Sequence, residues 1–513
     1  MHSSASRDTH ASAQLPATIR AMLQPSFYDH PAPDIRLIQT HISWVVLTGS
    51  YAYKVKKPVD FGFLDFSSLE KRHRMCLKEL ALNRRLAPDL YLDVLPVCRS
   101  ARGFRLGGGN DADAVEYCLK MAQFDPDALF SHEIDRPQFD PAWMDVLARQ
   151  IAGFHAAAEV VRAPAFGSAQ TLGRYIAENL EAARGLVTQA GPPDPSPALE
   201  RHASRMLREL SPRIRQRQRD GLIRACHGDM HLGNIALVHG EPRIFDCIEF
   251  NDELRLIDTM NDVAFLVMDC DARARPGLGM RLLSRYLEHT GDYGGLMLLR
   301  LYQFYRAGVR GKVAFLLSRD SGMAEQAVGA QIRQARHYFS LAASYGEPPG
   351  GPGLYAVGGL SGSGKSHLAL IGSGIEHALV IRSDATRKRL AAGSTASLYT
   401  PAMSEATYRA MIEGADAALA AGYSVILDAT FLARAYRDQA RQLAESHGIP
   451  LRMLWLDLPP AVLRQRIRAR DTAGTDVSDA DLAVLESQLS RYQRPDEPGI
   501  RFLTDSDAWP GKD

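Results

Sequence analysis

Residues 359–366 read Gly-Leu-Ser-Gly-Ser-Gly-Lys-Ser and fit the pattern G-x-x-x-x-G-K-[ST]. In such a loop the glycines let backbone N–H groups turn inward around phosphate oxygens, the lysine adds a positive charge, and the final hydroxyl is a magnesium ligand. An apolar segment precedes the loop and a helical segment follows it, which favours this interpretation over an ordinary glycine-rich linker. The sequence therefore predicts a site for ATP or another nucleoside triphosphate with Mg²⁺, formed by Gly359, Ser361, Gly362, Ser363, Gly364, Lys365 and Ser366.

An acid and a base follow the next apolar segment, in Ser383-Asp384-Ala-Thr-Arg387. The C-terminal ends of parallel strands meet at one ligand crevice, so both side chains are expected beside the transferred phosphate. Asp384 is predicted to accept the proton of an acceptor hydroxyl as general base, and Arg387, one helical turn later, to hold an anion of the acceptor. In the structural alternative, Ser383 or Asp384 only caps the helix that begins there.

A second acid and a group of arginines complete the C-terminal candidates. Asp428 ends the apolar run 425–428 and is predicted to hold either the Mg²⁺ shell or the attacking group, unless it is simply a solvated strand end. Arg466 and Arg470 lie four residues apart in a predicted helix and share one face, and a polar stretch, 471–479, follows them. Arginines that close over a phosphoryl group stabilise its negative charge, so two catalytic lid arginines are predicted, with a solvated basic helix as the alternative.

Residues 353–498 resemble the small-molecule and polynucleotide kinase branch of the P-loop proteins, which includes zeta-toxin-like proteins and polynucleotide 5′-hydroxyl kinases. The resemblance rests on the P-loop, on the D-x-x-R spacing of Asp384 and Arg387, and on the arginine-rich helix. It implies an α/β domain in which Lys365 and Ser366 serve ATP and magnesium during catalysis. The acceptor that it implies is a polynucleotide 5′-hydroxyl, a nucleoside or a sugar.

A second constellation lies in the N-terminal part, in the sequence His227-Gly-Asp229-Met-His231-Leu-Gly-Asn234. On a tight loop, Asp229 is predicted to accept a proton from a substrate hydroxyl, and Asn234 to bind Mg²⁺. Twelve residues later, Asp246 at the end of an apolar strand offers a second magnesium carboxylate. His227 and His231 raise the alternative of a zinc site. That alternative is disfavoured because zinc would need further ligands and the nearby glycines make a helix unlikely.

This H-G-D-x-H-x-x-N motif, followed by an apolar strand and an aspartate, resembles the aminoglycoside phosphotransferase and choline kinase superfamily over residues 35–338. The resemblance implies a bilobal, protein-kinase-like α+β fold with ATP between a strand-rich lobe and a helical lobe. It implies that Lys54 contacts the phosphates and that Glu79 pairs with it, with Lys56 as an alternative on the same strand face. Residues 116–122 would connect the two lobes.

The elements that must position these residues divide the chain into two predicted domains. Residues 347–353, Glu-Pro-Pro-Gly-Gly-Pro-Gly, cannot propagate a helix or a central strand. After them, candidate strands at 354–357, 379–382, 424–427 and 451–456 alternate with helices, which is typical of a parallel sheet covered by helices. The predicted division is a flexible tail at 1–30, a kinase-like domain at 31–345, a linker at 346–353 and a P-loop domain at 354–513.

The overall composition limits the classes of partner. With a formal net charge of +1, the chain gives no global sign of a nucleic-acid or membrane partner, and no apolar run approaches the roughly 18 residues needed to span a bilayer. The six cysteines are scattered without C-x-x-C spacing, which predicts reduced thiols in a cytoplasmic protein. The partners expected are a nucleotide and a hydroxyl acceptor, with a short RNA or DNA end among the candidates.

Together these features predict an ATP-dependent kinase with two nucleotide sites. The pairing of domains resembles bacterial proteins described as bifunctional aminoglycoside phosphotransferase/ATP-binding proteins. One alternative is an aminoglycoside-modifying kinase, because the acids between 249 and 271 would suit a polycationic substrate. Another is a nucleotide-gated regulatory protein with a degenerate kinase-like domain. That alternative stays open because the predicted phosphate-covering turn has only Gly49, and no glycine follows Asp246.

Overall fold

The computed structural model describes residues 15–62, 64–100, 103–107, 113–319, 323–392, 400–473, 481–504 and 509–510, with only the backbone at 470–473. The chain forms two compact units. Unit 1 combines Met1–Phe139 with Ala225–Ile257, and unit 2 combines Asp140–Arg224 with Asp258–Asp513. The chain therefore passes between the units three times, and the linker predicted at 346–353 lies inside unit 2.

Unit 1 is built on a six-stranded antiparallel sheet of order β1-β2-β3-β6-β4-β5. The strands are β1 (Arg36–Gln39), β2 (Ser43–Leu47), β3 (Tyr51–Lys56), β4 (Tyr91–Ser100), β5 (Gly103–Leu106) and β6 (Ala114–Ala122). β2 and β3 form the predicted hairpin, with Val45 opposite Lys54. Residues 116–122, predicted to connect two lobes, instead lie in the central strand β6. The reason is that tyrosine, cysteine and leucine in this run suit a pleated, buried surface.

The first helix, α1 (Ala17–Met22), lies in the segment that the sequence assigned to a flexible tail. Ile19 and Met22 are fully buried and pack in one apolar cluster with Val46 and Tyr53 of the sheet. Leu15, Ile19 and Met22 recur at helical spacing, so one face of this short helix is apolar. The tail prediction is therefore corrected from residue 15 onward, and residues 1–14 lie outside the described part of the chain.

The remaining elements of unit 1 carry the N-terminal candidate residues. They are α2 (Leu69–Asn83), α3 (Phe130–Glu133), β8 (Ile235–Val238), β9 (Glu241–Ile244) and α7 (Asp252–Arg255). The Ser68 side chain caps α2 by accepting a hydrogen bond from the N–H of Lys71, at 3.2 Å. The short strands β7 (Ile223–Ala225) and β10 (Leu256–Asp258) lie where the chain passes between units.

Unit 2 begins with a group of long helices. They are α4 (Ala142–Ala157), α5 (Ala169–Ala190), α6 (Ser196–Arg219), α8 (Thr259–Ala272), α9 (Pro276–Thr290), α10 (Leu296–Leu317) and α11 (Glu325–Gly346). Helix α8 is buried along nearly its whole length, although its buried residues include the polar side chains of Asn261, Asp262 and Asp269. Its Asp262 is fully buried, and its carboxylate lies 3.3 Å from His155 of α4.

The second part of unit 2 is the predicted parallel α/β domain. Its strands are β11 (Leu354–Gly359), β12 (Leu379–Arg382), β13 (Val425–Asp428), β14 (Leu451–Leu456) and β15 (Ile500–Leu503), in the order β12-β13-β11-β14-β15. All four strand pairs are parallel, which confirms the predicted sheet, and β15 is a strand that the sequence analysis missed. The helices are α12 (Lys365–Glu376), α13 (Ser383–Leu390), α14 (Pro401–Ala420), α15 (Arg434–Ser446), α16 (Pro460–Ala473) and α17 (Leu482–Leu489).

Two global features bear on the predicted class of protein. Among the described residues, no helix combines the length and the apolar character needed to cross a membrane. All six cysteines are buried free thiols, as expected for cysteines that act as small apolar side chains.

Candidate active sites

The P-loop connects the central strand β11 to the start of α12. All six residues of β11 are buried, as in the middle of a parallel sheet covered on both faces. Gly359 has a φ of +137°, and a Cβ there would lie 2.7 Å from the carbonyl oxygen of Leu456, so only glycine fits. Gly364, with a φ of +96°, immediately precedes α12 and turns the chain into it. The loop thus presents backbone N–H groups at a helix N-terminus, where phosphate binds.

A hydroxyl and a carboxylate meet beside this loop. The Ser366 hydroxyl donates to Oδ2 of Asp428 at 2.6 Å, because β13 lies next to β11 and ends with Asp428. Burial raises the pKa of the Asp428 carboxyl, while Lys365 and the bond from Ser366 oppose the rise. Asp428 is only 4% exposed, so it is not a solvated strand end. A paired hydroxyl and carboxylate are the hard oxygen ligands that suit Mg²⁺.

The predicted base and anion holder lie at the next strand end. Asp384 and Arg387 are on the first turns of α13, and their side chains form an ion pair at 3.2 Å. No side chain caps α13, so the structural alternative of a helix cap is not what the structure contains. The Asp384 side chain is 36% exposed, and the Arg387 side chain 12%. The carboxylate therefore remains accessible for contact with a substrate.

An arginine that the sequence analysis missed lies at the end of β12. Arg382 donates to both carboxylate oxygens of Glu288 on α9, through Nε and Nη2 at 2.6 Å each. The N–H of Val380 also donates to the Ser284 hydroxyl of α9, at 3.1 Å. β12 is an edge strand, so α9 covers its open side. Glu288 and Arg382 are 94 residues apart, and no local sequence signal relates them.

One cavity of about 1300 Å³ brings the C-terminal candidates together. Its lining includes Gly362, Gly364, Lys365, Ser366, Arg382, Asp384, Arg387, Asp428 and Arg466. Arg466 donates to the carbonyl oxygen of Ser363 at 3.2 Å, which places it against the P-loop. Gln488 of α17, which no motif indicated, accepts from the N–H of Ser361 and donates to its hydroxyl, both at 2.9 Å. The Arg470 side chain and the proposed lid residues 474–479 lie outside the described residues.

In unit 1, two lysines of β3 share one acidic partner. Lys54 lies 2.7 Å from Glu79 of α2 and 2.9 Å from Asp246, whereas Lys56 lies 2.6 Å from Glu79 and 2.5 Å from Glu249. Both lysines are on one strand face, as their spacing of two residues requires. Burial alone would raise the pKa of Glu79, but the two lysines lower it below its usual range. Only Lys54 reaches Asp246, and Lys56 is bound to the buried Glu249, another residue that the sequence analysis did not assign to the site.

The H-G-D loop holds its acid and its amide against each other. Nδ2 of Asn234 donates to Oδ2 of Asp229 at 2.9 Å and to its carbonyl oxygen at 3.0 Å. His227 accepts from the N–H of Asp229 at 3.2 Å and lies 3.0 Å from the carbonyl oxygen of Phe245. His231 accepts from the N–H of Gly233. The two histidines thus shape the loop, which weighs against the zinc alternative.

Asp246 lies just after a strand rather than in it. β9 ends at Ile244, and Asp246 has a φ of +64°, a conformation that few non-glycine residues adopt. Its N–H donates to the Tyr91 hydroxyl at 3.1 Å, which holds this turn in place. The turn directs the Asp246 carboxylate to Lys54, which also contacts Glu79. Strand β3, helix α2 and the turn at Asp246 therefore meet at Lys54. Such conformations recur at sites where the side chain must have one orientation.

Comparison with known families agrees with the two predicted domain types. Residues 59–299 match the phosphotransferase enzyme family, and residues 354–495 match an AAA domain family. The chain is 30% identical over 486 residues to the uncharacterized protein Rv2004c of Mycobacterium tuberculosis. The aligned region covers 92% of this chain and 94% of Rv2004c. The same identity and coverage are found for the uncharacterized protein Mb2027c of Mycobacterium bovis.

Similar solved structures cover one part of the chain or the other. A gluconokinase from Sinorhizobium meliloti is 24% identical, with a TM-score of 0.24, and the matched region covers 30% of this chain and 82% of the gluconokinase chain. The amicoumacin kinase hAmiN is 14% identical, with a TM-score of 0.39, and the matched region covers 65% of this chain and 96% of the hAmiN chain.

Proposed function

The chain belongs to the same family as Rv2004c, it is an ATP-dependent phosphotransferase, and we propose that it transfers phosphoryl groups at two separate sites. The C-terminal site would phosphorylate a hydroxyl of a polynucleotide end, a nucleoside or a sugar. The N-terminal site would phosphorylate a small-molecule hydroxyl. The observation that carries the proposal is the cavity in which the P-loop lies together with Asp384, Arg387 and Asp428.

At the C-terminal site, Asp384 is the proposed general base. The acceptor oxygen forms a bond to the γ-phosphorus, and the bond from that phosphorus to the β–γ bridging oxygen breaks, which releases ADP. The acceptor proton passes to the Asp384 carboxylate. Lys365 and Arg466, which lie at the P-loop, would stabilise the charge on the transferred group. Arg470 is proposed to add to that charge as a second lid residue.

The oxygen donors beside the P-loop fit a magnesium ion. Ser366 and Asp428 would hold the ion, since the hydrogen bond between them places their two ligand oxygens 2.6 Å apart. When bound, Mg²⁺ neutralises phosphate charge that develops during transfer. The raised pKa of Asp428 also fits this role, because a buried carboxylate is stabilised by a cation.

At the N-terminal site, Asp229 is the proposed base and Lys54 the proposed phosphate ligand. Glu79 would hold Lys54 in place, at 2.7 Å. Asn234 and Asp246 would be magnesium ligands, since both supply oxygen atoms from ordered turns. Lys56 is proposed to be structural, because it is 1% exposed and bound by two buried carboxylates.

The aminoglycoside alternative rested on acids that follow the N-terminal motif. Several of these acids already contact other groups of the protein. Glu249 binds Lys56, Asp252 binds Lys78 and Arg255, and Asp258 binds Arg217. Bound acids offer less charge to a polycation, so this alternative ranks below a neutral or anionic acceptor.

The test is γ-phosphate transfer by the full-length protein from labelled ATP. The acceptors are 5′-hydroxyl RNA and DNA, nucleosides, sugars and aminoglycosides. Wild type is compared with Lys365→Ala and Asp229→Ala, and with Glu200→Gln as a control, because Glu200 lies on α6 outside the cavity. Loss of transfer to one acceptor in only one of the two site variants assigns that acceptor to its site. ATP binding without transfer to any acceptor would instead favour the nucleotide-gated regulatory alternative.

A further inference from the structure

Two tyrosines form a parallel stack in the wall of the C-terminal cavity. The rings of Tyr408 on α14 and Tyr436 on α15 have centroids 3.7 Å apart and planes 5° apart, and both residues line the cavity. Tyr408 is 4% exposed, whereas Tyr436 is partly exposed. Since one face of Tyr436 is covered by Tyr408, the part of the Tyr436 ring that remains accessible is its other face or its edge.

This stack is held rigidly and lies close to the P-loop. The Tyr408 hydroxyl accepts from the N–H of Phe431 at 2.9 Å and is 3.4 Å from the hydroxyl of Thr430. The carbonyl oxygen of Thr430 in turn accepts from the N–H of Gly359, at 3.2 Å. Phe431 is buried with a φ of +51°, a conformation that costs free energy and is fixed here by its neighbours. Hydrogen bonds through residues 430–431 therefore link Tyr408, on which Tyr436 stacks, to the first residue of the phosphate loop.

The cavity beside the tyrosines is rich in positive charge. Burial raises the pKa of Tyr408 to about 12, and its hydrogen bonds with Thr430 and Phe431 and the positive charge of Arg387 oppose that rise. Arg434 begins α15, two residues before Tyr436, and its side chain is 67% exposed. Its acidic neighbours, Asp438 and Glu497, are 3.8 and 3.7 Å away. Arg387, Arg434 and Tyr436 thus all line the cavity that also contains the proposed base, Asp384.

We propose that this cavity binds a nucleoside monophosphate as the phosphoryl acceptor, with its base stacked on Tyr436 and its phosphate held by Arg387 and Arg434. The inference rests on the proposed function and narrows its acceptor class. A sugar would use the arginines only if it carried an anion, and it would leave the aromatic face without a partner. A nucleoside would use the ring but not the arginines. A nucleoside monophosphate uses both.

The phosphate position then decides which hydroxyl is phosphorylated. A 3′-monophosphate leaves the 5′-hydroxyl as acceptor, as in the terminal nucleotide of a polynucleotide. A 5′-monophosphate leaves a ribose 2′- or 3′-hydroxyl. In either case the acceptor O–H loses its proton to Asp384, gains the γ-phosphoryl group and leaves ADP as the second product.

The test measures binding by calorimetry to the full-length protein saturated with Mg²⁺ and a non-hydrolysable ATP analogue. The probes are the 3′- and 5′-monophosphates of adenosine and uridine, with ribose 5-phosphate and adenosine as comparisons. Base stacking on an aromatic side chain is worth enough to expect at least one monophosphate to bind roughly tenfold more tightly than ribose 5-phosphate. Comparing the 3′- and 5′-monophosphates identifies the position of the phosphate.

Variants locate the binding. Tyr436→Leu keeps apolar bulk, so we expect it to weaken monophosphate binding about tenfold and to leave ribose 5-phosphate unchanged. Arg387→Gln should weaken the binding of the nucleoside monophosphates and of ribose 5-phosphate, but not the binding of adenosine. Tyr175→Leu on α5, outside the cavity, is the matched control.

The inference is overturned if no monophosphate binds more tightly than ribose 5-phosphate, or if Tyr436→Leu behaves like Tyr175→Leu. The proposed P-loop function fails by a different result, namely unchanged binding of the ATP analogue in Lys365→Ala. The two failures are therefore separable.

Discussion

The contact between Glu288 and Arg382 leads to the sharpest prediction. Glu288 is 3% exposed on its side chain and accepts from Arg382 at 2.6 and 2.6 Å and from Arg285 at 2.7 and 2.9 Å. Glu288→Gln removes the negative charge and leaves two buried arginines facing a neutral amide. Breaking a buried pair in this way costs about 3–5 kcal/mol, because the remaining charge is no longer compensated.

The structure places the effect at the low end of that range. Arg285 keeps a second acidic neighbour, Asp145, at 3.4 Å, and Arg382 keeps the field of Asp428. The glutamine carbonyl can still accept one hydrogen bond. We therefore expect unit 2 to lose about 3 kcal/mol of unfolding free energy. The double variant Glu288→Gln/Arg382→Gln should recover part of the loss, because it also removes one unpaired cation.

Tryptophan fluorescence during urea unfolding can isolate this loss. Of the four tryptophans, only Trp44 is in unit 1, so in a Trp44→Phe background Trp143, Trp455 and Trp509 report on unit 2. The control is Glu200→Gln, whose ion pair with Arg184 is exposed and is expected to be worth at most about 1 kcal/mol. If Glu288→Gln shifts the transition no more than Glu200→Gln, the buried-charge argument is refuted.

Three further predictions concern other charged groups. Burial raises the pKa of Asp271 to about 6, so the folded state binds more protons than the unfolded state between about pH 4 and 6, and stability falls as pH rises through that window. Asp271→Asn should therefore stabilise unit 2 by about 1–3 kcal/mol at pH 7 in urea unfolding, with no gain at pH 4, and an equal effect at both pH values would contradict this. Because burial also raises the pKa of Asp428, Mg²⁺-dependent binding of an ATP analogue should weaken as pH falls from 8 to 5. Asp428→Asn should reduce this dependence to the part that comes from the phosphates of the analogue, and an unchanged pH profile in the variant would argue against Asp428 as a ligand. In unit 1, Lys54→Met should abolish transfer at the N-terminal site with little loss of stability, since Lys56 still binds Glu79. Lys56→Met should lower stability by about 3 kcal/mol, because it leaves the buried Glu249 without its cation, whereas Glu79 keeps Lys54. Equal stability losses in the two variants would contradict the separate roles.

The sequence was sufficient where the chemistry is local. The P-loop lies within eight residues, so its glycines, lysine and serine were all readable, and four apolar runs led to four of the five parallel strands. β15 was missed because Ile500–Leu503 is short and follows a stretch rich in proline. The first helix was missed because six residues between polar segments give a weak periodic signal.

Contacts between distant segments were not readable. Lys54 and Lys56 are equivalent by strand spacing, and only the positions of Asp246 and Glu249, almost 200 residues later, distinguish them. The Tyr408–Tyr436 stack depends on the packing of α14 against α15. Neither tyrosine belongs to a motif, so only the fold brings them beside the phosphate loop.

Helix α9 connects these observations. By sequence it lies within residues 59–299, which match the phosphotransferase family, yet it covers the edge strand of the P-loop sheet and anchors Arg382. Arg382 lines the same cavity as Asp384, two residues further on. Because Glu288 holds Arg382 through two hydrogen bonds, the position of this arginine in the cavity is set partly by α9. The division of the chain by sequence family therefore differs from its division by packing, and the C-terminal site depends on residues from both family segments.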